Sequence, residues 1–299
     1  ELLTKKYILS IRCSYIEINM LEDSLMERYF ERVRTVVDFY LQLGAMFGDK
    51  LGDKANTLVF IDEIQAYPHL LTLLKFLKQD DKYTYIASGS LLGVTLAQTI
   101  SIPMGSIEVV RMYPLDFEEF LWASGVNHEV INFMREQFKT NQSLEEPLHN
   151  RILSLFKRYL LSGGLPDAVQ TFVNTQNITQ VRNIQREIHK YYGMDAAKYD
   201  AENKLKIKAL FDYIPSALEN VKRRIVVQNI ENKKGKRFSD YQDEIDYVIH
   251  SGIALDVRAI SNPKFPLLES AKKNLIKLYL NDVCTCHKLR DVVSIHYNH

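Results

Sequence analysis

The chain has 299 residues, 46% of them hydrophobic, and 38 basic against 37 acidic side chains give a net charge of +1. That balance excludes a global field steering the protein to nucleic acid or an anionic membrane, and no apolar run reaches the roughly 18 residues of a membrane span. Cys13, Cys284 and Cys286 make no disulfide framework and the N-terminus has no signal-peptide pattern, so a cytoplasmic location is expected.

Glu1 to Arg12 reads as a helix with Leu2, Leu3, Tyr7 and Ile8 on one side. Ser14–Asn19 alternates like a strand. A long amphipathic helix is expected over Ser24–Phe47, with Met26, Phe30, Val33, Val37, Tyr40 and Leu41 toward the core. Leu58-Val59-Phe60-Ile61 is a short apolar run suited to a strand buried on both faces of a parallel sheet, and it ends abruptly in Asp62 and Glu63. Ligands in open α/β sheets sit outside the carboxyl ends of the strands, so these two acids stand where chemistry would be placed. One could hold Mg²⁺ through water while the other orients or deprotonates an attacking water. A solvated acidic turn after a buried strand is the plainer alternative.

A helix follows over Pro68–Lys78 with Leu70, Leu71, Leu74 and Leu77 buried, then a strand over Tyr83–Ala87 that closes in Ser88-Gly89-Ser90. Ile107–Met112 is expected to be a further strand. Strands alternating with helices predict a parallel α/β sheet. Asp116, with Glu119 three residues on, spells a capping box at a helix start. From Asn127 to Tyr199 the pattern is helical without strands; Gly163-Gly164 and Pro166 interrupt it, either as a lid turning over a nucleotide or as an ordinary interhelical turn.

Asn203–Val283 reads as three helices and a hairpin. The first helix lies near Lys204–Tyr213, and the second begins by Ser216. Ser239 caps the third in a box with Gln242, and Gly252 ends it. Ile253–Ile260 and Leu275–Leu280 would be the hairpin strands, joined through Asn262-Pro263-Lys264. That order is a winged helix-turn-helix. The candidate nucleic-acid contacts are Lys222, Arg223, Arg224, Lys233, Lys234, Lys236 and Arg237, seven cations against one acid, Glu231. The third helix carries Asp240, Asp243, Glu244 and Asp246, which would repel phosphates and favour protein contacts instead. Cys284, Cys286 and His287 form a Cys-x-Cys-His group with no second ligand pair at the usual spacing.

Leu58–Gln65, Ala87–Gly93, Tyr113–Leu121, Ser162–Val169 and Ile276–Val283 together resemble the prokaryotic AAA+-like P-loop ATPases that carry a C-terminal domain of unknown function, relatives of the archaeal ATPases. The resemblance implies an α/β parallel-sheet ATPase core over residues 1–125, an all-helical lid over 126–202, a winged helix over 203–283 and a tail over 284–299. It implies ATP and Mg²⁺ as ligands. Asp62 matches the acid of the Walker B motif that binds the metal and Glu63 its catalytic glutamate. Ser88 and Ser90 look like the polar sensor of the γ-phosphate, although a hydroxyl there could instead cap the helix starting near Leu91. Two departures stand out. The family's Gly-rich loop ending in Gly-Lys-Thr or Gly-Lys-Ser, with the strand before it, is expected upstream of Glu1. Gly105-Ser106 replaces the Gly-Arg of many relatives, and Arg111 lies within the expected strand, so no arginine finger is assigned. The implied function is Mg²⁺-dependent ATP hydrolysis, used as a switch or motor on nucleic acid or a protein partner. The rival is a non-catalytic binding protein that keeps the fold and recognises its partner through the winged helix.

Overall fold

The computed structural model describes residues 14–21, 29–53, 56–89, 105–199, 204–220 and 223–282. It divides into two compact units, Glu1–Arg111 and Met112–His299. The first unit is built on three parallel strands, β1 (Ser14–Asn19), β2 (Thr57–Asp62) and β3 (Thr84–Ala87), in the spatial order β1-β2-β3. β2 is central, and its apolar run is buried along its length as expected of an inner parallel strand. On one face Val59 and Ile61 join Ile16 and Ile18 of β1 in the core.

Two helices cover that face. α1 (Val36–Phe47) supplies Phe39 and Leu43, and α2 (Pro68–Asp80) supplies Leu70, Leu71, Leu73, Leu74 and Leu77. α2 opens with proline in its first turn, where the missing N–H has no intrahelical partner to lose, and closes on Asp81 at φ 61°. The expectation of one helix over Ser24–Phe47 is corrected. The chain breaks after Phe30, and α1 starts afresh in a capping box. The Thr35 hydroxyl accepts the Asp38 N–H at 3.1 Å, and the Asp38 carboxylate accepts the Thr35 N–H at 3.1 Å. The Arg34 guanidinium donates to the carbonyls of Glu31 and Val33, satisfying groups that the broken helix leaves over. The restart rotates the buried stripe, so Val37 and Leu41 are 66% and 64% exposed while Phe39 and Leu43 are buried. Met26 lies outside the described residues.

Ile107–Met112, expected as a strand, is not one. Ile107 packs on the sheet core, but Val109, Val110 and Met112 are exposed and the segment joins no described strand. An apolar run stays a strand only where a neighbour takes up its N–H and C=O groups.

The second unit begins with α3 (Phe117–Ala123), whose capping box forms as read, with Asp116 and Glu119 exchanging backbone-to-carboxylate bonds of 2.9 Å each. α4 (His128–Lys139) is capped by Asn127. α5 (Glu146–Ser162), α6 (Pro166–Thr175) and α7 (Ile178–Tyr199) follow, so the region is helical throughout as the pattern predicts. Phe120 of α3 packs with Leu165, Val169, Phe172 and Val181.

The turn between α5 and α6 needs both its glycines. Gly163 sits at φ +69°, and a Cβ on it would collide with the Asp282 carboxylate; a Cβ on Gly164 would collide with the Leu115 carbonyl. The same atoms hold the turn. Gly164 N–H donates to Asp282 Oδ2 at 2.6 Å, its carbonyl accepts the Leu115 N–H at 2.7 Å, and the Tyr159 hydroxyl donates to the Leu115 carbonyl. Asp282 is 3% exposed. Burial raises the pKa of the neighbouring Tyr192 hydroxyl, and the charge of Asp282 adds to the rise while Asn281 opposes it.

A separate core forms from α8 (Lys204–Glu219), the single turn α9 (Val227–Ile230), α10 (Gln242–His250), β4 (Ala254–Ile260) and β5 (Ala271–Leu280). α8 runs through Pro215, where two helices were expected. Ile214 and Ala217 on either side are both buried, so packing carries the helix past the missing donor. Ser239 does not cap α10. A 3-10 turn (Phe238–Tyr241) leads into that helix, and Asp240 accepts the Arg237 N–H at 2.9 Å. β4 and β5 pair antiparallel from Ala254 opposite Leu280, and β5 starts earlier than its apolar pattern suggests. Gly252 takes φ +75° after α10, as its expected terminating role requires. No described helix is long and apolar enough to cross a membrane.

Candidate functional site

The carboxyl ends of β1, β2 and β3 bring the sheet unit's candidate residues together. Parallel register sets Asn19 beside Asp62 and Ala87 beside Ile61, so the residues that follow each strand face the same edge. The Asp62 carbonyl accepts the Met20 N–H at 3.0 Å. Past the last paired residues the backbone still bonds across, with Ser88 N–H donating to the Ile61 carbonyl at 2.8 Å and Ile64 N–H to the Ser88 carbonyl at 3.0 Å. Glu63 bridges this gap in a left-handed conformation, φ 55° and ψ 40°. A non-glycine residue there stores of order 1 kcal/mol or more of strain, and such strain gathers at functional sites.

Each oxygen of Asp62 has a donor. The Ser88 hydroxyl donates to Oδ1, and Asn19 Nδ2 approaches Oδ2 at 3.4 Å. Asn19 cannot turn its amide the other way without losing a second bond, because its Oδ1 accepts the Leu21 N–H at 2.9 Å. The Glu63 carboxylate accepts a hydrogen bond from Gln65 Nε2, and Gln65 itself is buried. Asp62, Glu63 and Ser88 are all half-buried, which leaves the carboxylates reachable from solvent.

Of the sequence candidates, Asp62, Glu63 and Ser88 thus meet at one edge, while Ser90 lies outside the described residues. Asn19 and Gln65 were not assigned roles from sequence. The signal for Asn19 was its place as a polar residue closing a strand next to one that closes in an acid. The donors available here are hard oxygens, two carboxylates and a hydroxyl. Among the described residues no group of three or more His, Cys, Asp or Glu side chains is gathered as a metal cage. That set fits Mg²⁺, which keeps several waters and takes one or two carboxylates together with substrate phosphates.

The basic residues lie in the second unit. Arg223, Lys233, Lys234 and Arg237 are exposed, Arg224 and Lys236 half-buried, and Lys222 is outside the described residues, as are Cys284, Cys286 and His287.

A three-stranded parallel sheet covered by helices is consistent with an AAA-like core. A family model described as an AAA domain matches residues 2–121, from the first unit into α3. A second, described as a domain of unknown function (DUF8612), matches residues 153–294, from α5 past β5. Together they support an AAA-like ATPase family with a C-terminal domain of unknown function, and the AAA match supports nucleotide binding. No curated protein matches the chain.

Proposed function

We propose that the sheet unit binds ATP with Mg²⁺ and that the native protein hydrolyses it by attack of water on the γ-phosphate. The observation that carries this reading is the convergence of Asp62, Glu63 and Ser88 at the carboxyl edge of β2 and β3, with the Ser88 hydroxyl on Asp62 Oδ1. Mg²⁺, when bound, neutralises charge that develops on the phosphates. Asp62 would hold the metal through its water shell. Glu63 accepts the proton of the attacking water, exchanging its bond from Gln65 for one from that water. Ser88, with Ser90, would sense the γ-phosphate, and Ser88 already bonds the Asp62 carboxylate that would hold the metal.

We read α4–α7 as the lid and residues 204–282 as a winged helix. The backbone order supports the second reading: Ile225, just before α9, donates its N–H to the Ile276 carbonyl of β5 at 3.0 Å. The native protein would then be an ATP-driven switch or motor acting on nucleic acid or a protein partner.

The test is Glu63→Gln in the full-length native protein. ATP binding should persist while turnover falls by about a hundredfold or more, because an amide cannot take the proton. Turnover at the parental rate overturns the assignment and favours the rival, a binding protein that retains the fold without the chemistry.

A further inference from the structure

Residues 231–237 connect α9 to the turn before α10 and carry Lys233, Lys234, Lys236 and Arg237. Their path is fixed by the backbone. Asn232 and Gly235 take φ of 54° and 89°, and Lys233 N–H donates to the Gln228 carbonyl at 3.1 Å. The acid within the loop is already engaged: Glu231 accepts the hydroxyl of the fully buried Tyr241 and pairs with Lys233 Nζ at 2.9 Å.

The acids of the following helix are engaged too. Asp240 accepts the Arg237 N–H, and Glu244 is 4% exposed against Lys206 Nζ at 3.2 Å. Asp246 is half-buried, which leaves Asp243 as the exposed acid within α10. Of the acids that argued against nucleic acid in the sequence, Glu244 is buried and Asp240 is tied to the Arg237 N–H, whereas Lys233, Lys234 and Arg237 of the loop are exposed. α10 still offers no cation to a groove, so contact falls to the loop and to phosphates rather than bases. The loop has no aromatic residue, and Phe238 and Tyr241 after it pack into the core. Single-strand binding leans on exposed aromatic platforms, so a duplex suits this surface better.

We propose that the 231–237 loop docks on the phosphate backbone of duplex DNA, through Lys233, Lys234, Lys236 and Arg237, without reading sequence. This names the partner that the winged-helix reading leaves open and rests on that reading.

The test measures the affinity of the full chain for a short random-sequence duplex at stepped salt concentrations. No nucleotide is added, so the result is readable whether or not the ATPase assignment holds. Affinity should fall with salt at a log–log slope of about −3.6, since each of the four phosphate contacts contributes about 0.9. Replacing all four cations with Ala should flatten the slope and weaken low-salt binding by about tenfold or more; Lys234→Ala should lower the slope by about one. An unchanged thermal midpoint for Lys234→Ala shows that its effect is not lost folding. Failure of the parent to bind at low salt, parental binding by the quadruple variant, equal or tighter binding of a single strand, or capture of polyglutamate in place of duplex would each overturn the proposal.

Discussion

Two aspartates close two strands of this molecule, and they have opposite characters. Asp62 ends β2 half-buried, and its oxygens meet side chains, the Ser88 hydroxyl and the Asn19 amide, which can exchange it for water or a ligand. Asp282 follows β5 at 3% exposure, and it accepts a backbone N–H from Gly164, which has nowhere else to go. The same residue type, at a strand's end or just past it, is thus within reach of solvent in one unit and a structural pin in the other. Partner type and burial distinguish them, not the side chain.

The sharpest way to break this contrast is to remove both carboxylates in turn. Asp282→Ala should cost about 3 kcal/mol, because a buried charge-assisted bond is lost and the Gly164 N–H is left unpaired. Asp62→Ala should cost about 1 kcal/mol or less, since water can reach the groups it leaves, while Mg²⁺-dependent nucleotide binding by the full-length native protein falls. Denaturant titration of both variants checks the pair; equal losses would erase the distinction.

A third acid refines it. Glu231 bonds side chains as Asp62 does, yet its partners Tyr241 and Lys233 belong to the fold. The Tyr241 hydroxyl first, and Lys233 second, lower its pKa from 4.5 to about 2. A group held below its unfolded value contributes stability that is present in full above pH 4.5 and lost as pH falls toward 2. The second unit should therefore weaken through that acid window, and Glu231→Gln should flatten the dependence, as thermal midpoints at stepped pH would report. A midpoint profile identical to the parent's would show that Glu231 plays no such part. This is the smallest of the three effects, because Glu231 remains near solvent.

Much of the sheet unit was legible because its signals are local. A four-residue apolar run closing in Asp62 allows little but a central strand, and the Leu70–Leu77 spacing fits one helix. Asp116 and Glu119 announced α3 for the same reason. The break at Thr35 was also spelled out, as Thr35-x-x-Asp38, but apolar residues at helical spacing run across it and masked the restart. Pro215 misled in the opposite sense, since packing of Ile214 and Ala217 overrode a local breaker. At the site, the acids and Ser88 could be named from sequence, whereas Asn19 could not be given a role. Its pairing with Asp62 depends on strand register, which a single sequence does not print. The engagement of Glu231 and Glu244 was hidden likewise, because Tyr241 and Lys206 reach them only in the folded chain.

The left-handed backbone at Glu63 has a consequence for how this protein can change over generations. Glycine, and after it asparagine, adopts φ 55° at less cost than glutamate, so a substitution to either at position 63 relaxes the backbone. A glutamate there keeps a backbone strain that either replacement would relieve. In a lineage that has given up the chemistry nothing opposes the drift, and the relaxed backbone favours the replacement. On the proposed reading, the descendants that keep a carboxylate at position 63 are the ones that activate water.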